Sequence, residues 1–172
     1  MFEKLTLNDK VFNVQKIHLS PRGLENTADN DVRSIQSPSL AGRAGVGLLI
    51  IHCSATLPDQ RVSVQDIDRW HRQRGFDCIG YHFYITVDGS IWVGRPLNQV
   101  GAHCKGYNAH SIGICYEGGL NARDRPADTR TPEQKETLQR LLERLKEDYP
   151  DARIVGHRDL PGVKKDCPCF DV

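Results

Sequence analysis

The run Leu48-Leu49-Ile50-Ile51 constrains the fold of this chain more than any other feature. Four consecutive apolar residues without polar alternation describe a strand buried on both faces, and such a strand needs a covering layer on each side. The surrounding sequence supplies those layers. Ser63 is an N-cap ahead of Val64-Gln65-Asp66, with an acidic residue in the first turn. Val64, Ile67, Trp70 and His71 follow at helical spacing as far as Gly75, a C-terminal stop. Tyr81 to Val87 and Ile91 to Gly94 are β-rich runs about Asp88-Gly89, which predicts a hairpin. Ser111 to Tyr116 reads as another strand. Thr131-Pro132-Glu133-Gln134 joins an N-cap, a first-position proline and a capping-box glutamine. Leu138, Leu141, Leu142 and Leu145 then form one apolar stripe, and Ala152 to Val155 gives a final short strand. The order strand, helix, hairpin, strand, helix, strand predicts the α/β class. The expected architecture is a mixed central β-sheet flanked by helices on both faces, in a single three-layer domain.

Residues 1–45 lack this patterning. Gly23, Asn26, Asp29, Asn30, Asp31, Ser34, Ser37, Pro38 and Ser39 punctuate them, so an irregular N-terminal arm is expected there, and the domain proper at 46–172. Within the arm, Phe12 and Val14 alternate with polar neighbours between Val11 and Ile17, which suggests a short edge strand.

Charge removes two function classes. Lys plus Arg number 23 against 22 for Asp plus Glu, so the chain carries no basic excess for nucleic acid or for an anionic membrane surface. No apolar run approaches the roughly 20 residues that span a bilayer. Met1 to Lys10 lacks the uninterrupted apolar stretch of a signal peptide, so the expected place of synthesis and accumulation is the cytoplasm. Six cysteines fit that compartment as reduced thiols, with Cys53 and Cys115 in or beside apolar runs where cysteine acts as a small hydrophobe.

The chemistry gathers at strand ends. His52 follows the buried run, and His157 follows the short strand ending at Val155, the positions where open α/β sheets build sites. Cys167 lies across the loop that begins at Arg158. Two imidazoles and a thiolate suit zinc and leave a fourth position for water. Spacing alone also admits a plainer reading, two hydrogen-bonded histidines and a thiol near the chain end.

A set of short motifs falls in order along the chain. They are His52-Cys53-Ser54-Ala55-Thr56, Gly80-Tyr81-His82-Phe83, Asp88-Gly89 with Gly94-Arg95, and Gly101-Ala102-His103. Lys105-Gly106-Tyr107-Asn108, Ser111-Ile112-Gly113-Ile114, Gly156-His157-Arg158-Asp159 and Lys165-Asp166-Cys167-Pro168 complete it. Together they resemble the phage-lysozyme type of N-acetylmuramoyl-L-alanine amidase, whose fold is shared with peptidoglycan recognition proteins. The resemblance covers Leu48 to Val172.

The resemblance implies hydrolysis of the amide between N-acetylmuramic acid and L-alanine by a zinc-activated water. It implies His52, His157 and Cys167 as zinc ligands and Tyr81 and Lys165 as catalytic residues. His103, in a glycine-flanked loop, is implied to contact substrate; a loop histidine bonded to backbone is the alternative. The implied partner is peptidoglycan or muropeptides, met as a monomer that reaches the cell wall after release, as an endolysin does. A cytosolic recycling enzyme fits the compartment equally. Some relatives use a glutamate, which makes Glu117 a minor candidate, and Cys169 competes with Cys167 as ligand. His82 is expected on the opposite strand face from Tyr81 in a structural role, His71 half-exposed, and His18 and His110 without partners. Two other readings stand beside hydrolysis. One is a muropeptide-binding module, which in this fold lacks a ligand; the other is a closed structural zinc site with Cys169 as fourth ligand.

Overall fold

The structure, a computed structural model, describes the backbone of residues 3–5, 12–20, 23–26 and 43–172, with side chains at 15–17 and 43–172. Its strands are β1 (Glu3–Leu5), β2 (Phe12–Ser20), β3 (Gly23–Asn26), β4 (Leu48–Cys53), β5 (Phe83–Ile85), β6 (Ile91–Val93), β7 (Ser111–Tyr116) and β8 (Arg153–Gly156). Two α-helices accompany them, α1 (Val64–Gln73) and α2 (Pro132–Asp148).

The apolar run Leu48 to Ile51 opens β4, which is parallel to β7 on one side and to β8 on the other. Leu49 and Ile51 send their side chains to the face covered by α2, where they pack with Phe83, Ile85, Ile112, Ile114 and the stripe Leu138, Leu141 and Leu145. Leu142 packs partly buried at the edge of this cluster. The other face carries Tyr84 and Cys115 against Val64 and Ile67 of α1. Alternation along the strands therefore feeds a core under each helix, with a third, smaller cluster of Ile50, Cys104, Val155 and Leu160.

Both helix starts follow the sequence. Ser63 and Asp66 close a capping box on α1, and Thr131 and Gln134 close one on α2. Gln134 also donates its amide to the carbonyls of Ile85 (3.2 Å) and Glu117 (2.9 Å), tying the helix start to the sheet. The hairpin β5–β6 forms at Asp88-Gly89, with Gly89 at φ +76°. Gly89 has a second reason to be glycine: a Cβ there would lie 2.9 Å from Glu133 Cβ.

The sheet is mixed, in the order β1-β2-β6-β5-β7-β4-β8, with β3 also paired to β2. Here the expected irregular arm needs correction. The described parts of residues 1–45 are mostly strands, and β2 is an interior strand, with β6 on one side and β1 and β3 on the other. The physical reason is that β6 would otherwise end the sheet with an open ladder, and backbone hydrogen bonds can cover such an edge without strong apolar patterning. Residues 1–2, 6–11, 21–22 and 27–42 lie outside the described part.

Candidate active site

Parallel register assembles the site. Ile51 of β4 sits opposite Gly156 of β8, so the next residues, His52 and His157, lie side by side. Their ring centroids are 4.5 Å apart. Cys167 is brought in by the C-terminal loop, which is fastened at several points. Arg158 N donates to Cys167 O at 2.7 Å, and the Tyr116 hydroxyl donates to Pro168 O at 2.6 Å. Cys53 N donates to Cys167 Sγ at 3.3 Å, which fixes the position of the sulfur.

One ligand atom from each of His52, His157 and Cys167 lies within 4.8 Å of the other two. This group can hold a metal ion. The donor set passes a closer test at the His52–Cys167 edge, where Nδ1 and Sγ stand 3.8 Å apart. Tetrahedral zinc with its usual N and S bond lengths requires about 3.6 Å. Burial holds the His52 pKa well below the ordinary histidine range, and His103, His157 and Lys165 push it the same way. His157 is also lowered, by burial and then by Lys165. Neutral imidazoles at neutral pH are the ligating form.

The other expected residues separate into those at the site and those elsewhere. The Tyr81 ring is 5.1 Å from that of His52, and burial raises its hydroxyl pKa well above the usual value. Lys165 is exposed, yet close enough for its charge to act on both His52 and His157. Cys169 packs towards the α2 side and meets Cys53 Sγ at 3.6 Å.

His103 reaches the site but not as a free arm. Its Nδ1 is 2.9 Å from His52 Nε2, and its Nε2 is 3.3 Å from Ser111 Oγ. Both ring nitrogens therefore have partners inside the protein, while the ring itself is half-buried at the site. Glu117 is spent on structure as well. It is 3% exposed and accepts from Val62 N (2.7 Å) and Val87 N (3.0 Å).

Of the remaining histidines, one departs from its pattern. His71 is buried, not half-exposed, and its Nδ1 accepts from Gly80 N at 2.8 Å beside the Tyr81 ring. His82 is structural, as expected: it is fully buried, just before β5, with its ring 5.8 Å from that of His103. Its Nδ1 accepts from Gly113 N at 3.0 Å. His110 is exposed, and the His18 side chain lies outside the described residues. Gly80 and Gly113 supply the backbone N–H groups that the His71 and His82 rings accept from.

Residues 42–170 match the Amidase_2 family model, described as N-acetylmuramoyl-L-alanine amidase. The chain is 41% identical over 124 residues to the endolysin of Klebsiella phage KP32, covering 72% of this chain and 81% of that protein. Among solved structures it resembles the endolysin amidase LysCS from Clostridium intestinale. That match has a TM-score of 0.64 at 36% identity and covers 74% of this chain and 77% of the other. A Drosophila PGRP-LB variant in complex with tracheal cytotoxin matches with a TM-score of 0.62 at 27% identity, covering 74% and 78% of the two chains.

Proposed function

This chain belongs to the N-acetylmuramoyl-L-alanine amidase family and is an amide hydrolase of that class; we propose that it cleaves its substrate with a zinc ion held by His52, His157 and Cys167. The observation that carries the zinc reading is the convergence of two depressed imidazoles and one sulfur on a common point, with a 3.8 Å Nδ1–Sγ edge. When bound, zinc lowers the pKa of a water towards about 7 and polarises the scissile carbonyl.

The chain's own groups supply the rest. Tyr81 keeps its hydroxyl hydrogen at neutral pH and donates it to the oxyanion that grows on the muramoyl carbonyl. Lys165 brings a positive charge to the same side of the ligand loop and steadies that oxyanion. Cys53 N holds the Cys167 sulfur in place through its hydrogen bond. His157 and His52, kept neutral by burial, remain available as ligands across the working pH range.

The substrate is peptidoglycan or its muropeptides, and the biological role is that of an endolysin acting on the wall after release. The 41% identity to a phage endolysin along most of both chains supports this role over recycling. Among the described residues no helix is long and apolar enough to cross a membrane. We assign the catalytic unit to residues 46–172, acting as a monomer.

The test digests purified peptidoglycan and identifies the new ends by mass spectrometry, with bound zinc measured in parallel. New L-alanine amino termini that disappear in His157→Ala and after chelation support the reading. Intact amide bonds in the presence of bound zinc would leave a muropeptide-binding module in its place. Cleavage that survives complete zinc removal would refute the metal assignment.

A further inference from the structure

His103 is held with unusual care for a loop residue. Its backbone N and that of Cys104 both donate to Asn108 Oδ1, at 2.9 and 2.8 Å. Its ring lies in a slot between two glycines: a Cβ at Gly101 or at Gly113 would come within 2.5 Å of it. Gly113 sits on β7 opposite Ile50 and two residues before Cys115, on the face that carries His52. A side chain at that position would fill the slot.

The hydrogen bonds of that ring have a direction. Ser111 Oγ donates its single hydrogen to Tyr107 O at 2.9 Å. The hydroxyl can therefore only accept from the neighbouring ring, so His103 Nε2 carries the hydrogen and His103 Nδ1 is left as an acceptor. At 2.9 Å, that acceptor takes a hydrogen from His52 Nε2. A neutral imidazole has one N–H, so the His52 lone pair falls on Nδ1. That is the nitrogen 3.8 Å from Cys167 Sγ.

We propose that Tyr107 O, Ser111 and His103 form a relay that fixes His52 in its Nε2–H tautomer, leaving Nδ1 to face the metal. The inference rests on the zinc reading above and deepens it. His103 is a positioning residue that acts through His52, rather than a group that touches substrate. Partners of this kind orient the ligand ring before the ion arrives, and their loss costs about 10- to 100-fold in metal affinity.

The experiment measures zinc affinity of the full chain by competition with a chromophoric chelator, for the parent, His103→Ala and Ser111→Ala. Unfolding of each zinc-free protein is followed by circular dichroism. The expected result is a zinc Kd about 10- to 100-fold weaker in His103→Ala. A smaller loss in the same direction is expected in Ser111→Ala, which touches neither ion nor ligand. Long-range proton–nitrogen NMR of the zinc-free parent should show the His52 hydrogen on Nε2, a signature that a merely structural role would not require. A parent that takes up no zinc overturns the metal reading and the relay together. A parent that binds zinc while folded His103→Ala binds it within twofold overturns the relay alone. So does a His52 hydrogen found on Nδ1. If His103→Ala is too unstable to assay, the Ser111→Ala affinity and the parent's NMR tautomer decide the matter.

Discussion

Gly113→Ala is a one-methyl change whose outcome follows from the packing of the site. The new Cβ would stand 2.5 Å from His103 Cδ2 and Cγ and 2.8 Å from its Nδ1. To restore ordinary contact the ring must retreat by roughly 1 Å, because carbon pairs pack at about 3.5–4 Å. The 2.9 Å bond to His52 Nε2 does not survive such a shift. Overpacking of this kind costs about 1–3 kcal/mol. Leaving a buried donor without its partner adds about 1–3 kcal/mol. Against this, alanine in place of glycine at an ordinary strand φ returns about 0.4–1 kcal/mol through the unfolded chain. The net expectation is a loss of about 2–4 kcal/mol in the zinc-free protein. For a domain of this size that is a fall in Tm of about 4–16 °C. Gly47→Ala is the control, since a Cβ there meets nothing within 4 Å and its φ lies outside the positive range. Its stability should stay within about 1 kcal/mol of the parent's. Urea titration of the zinc-free proteins, followed by zinc competition, reads both effects. A Gly113→Ala variant as stable as the control, with unchanged zinc affinity, would refute the reasoning about the slot.

Three further outcomes follow from the same structure. Glu117→Gln replaces one of two acceptor oxygens that hold Val62 N and Val87 N, so urea unfolding should show a loss of about 1–3 kcal/mol while kcat of the folded enzyme is unchanged; a kcat loss would return Glu117 to the catalytic set. Lys165→Met should retain zinc, measured by metal analysis, and lose about 10²–10³ in kcat, as removal of one oxyanion-stabilising group does; unaltered turnover would remove Lys165 from the mechanism. His82, fully buried, has its pKa depressed by burial from 6.5 to about 4, so the unfolded chain binds the extra proton first and stability falls as pH drops from about 6.5 to 4. That contributes at most about 3 kcal/mol. His82→Asn, with an oxygen in place of the accepting nitrogen, should flatten the urea-derived stability–pH slope in this window, and a slope equal to the parent's would contradict the assignment.

What the sequence makes legible is local. The run Leu48 to Ile51 announces a strand covered on both faces, and Ser63 and Thr131 announce helix starts, because the physical causes lie within a few residues. The ligand set becomes legible through ordered motifs, but its geometry does not. His52 and His157 meet only because β4 and β8 pair in parallel with Ile51 against Gly156. No spacing rule expresses that register. His103 shows the limit most clearly. Its motif names the residue and the loop, while the direction of its ring depends on the bare Gly113 of β7 and on Ser111 at the start of that strand. An isolated glycine in an apolar strand is the signal that something approaches closely there. In the N-terminal segment the alternation at Phe12 and Val14 marks β2, but its interior place and its partners β1 and β3 do not show, because backbone ladders leave a weak mark on side-chain pattern.

The most direct test of the central claim is X-ray absorption at the zinc edge of the loaded protein, which counts ligands by type. Two nitrogens at about 2.0–2.1 Å and one sulfur at about 2.3 Å are predicted, with a further light atom filling the fourth position. The sulfur shell should vanish in Cys167→Ser and persist in Cys169→Ser. Two sulfurs in the parent, or a sulfur shell that follows Cys169, would describe a closed structural site and contradict the account.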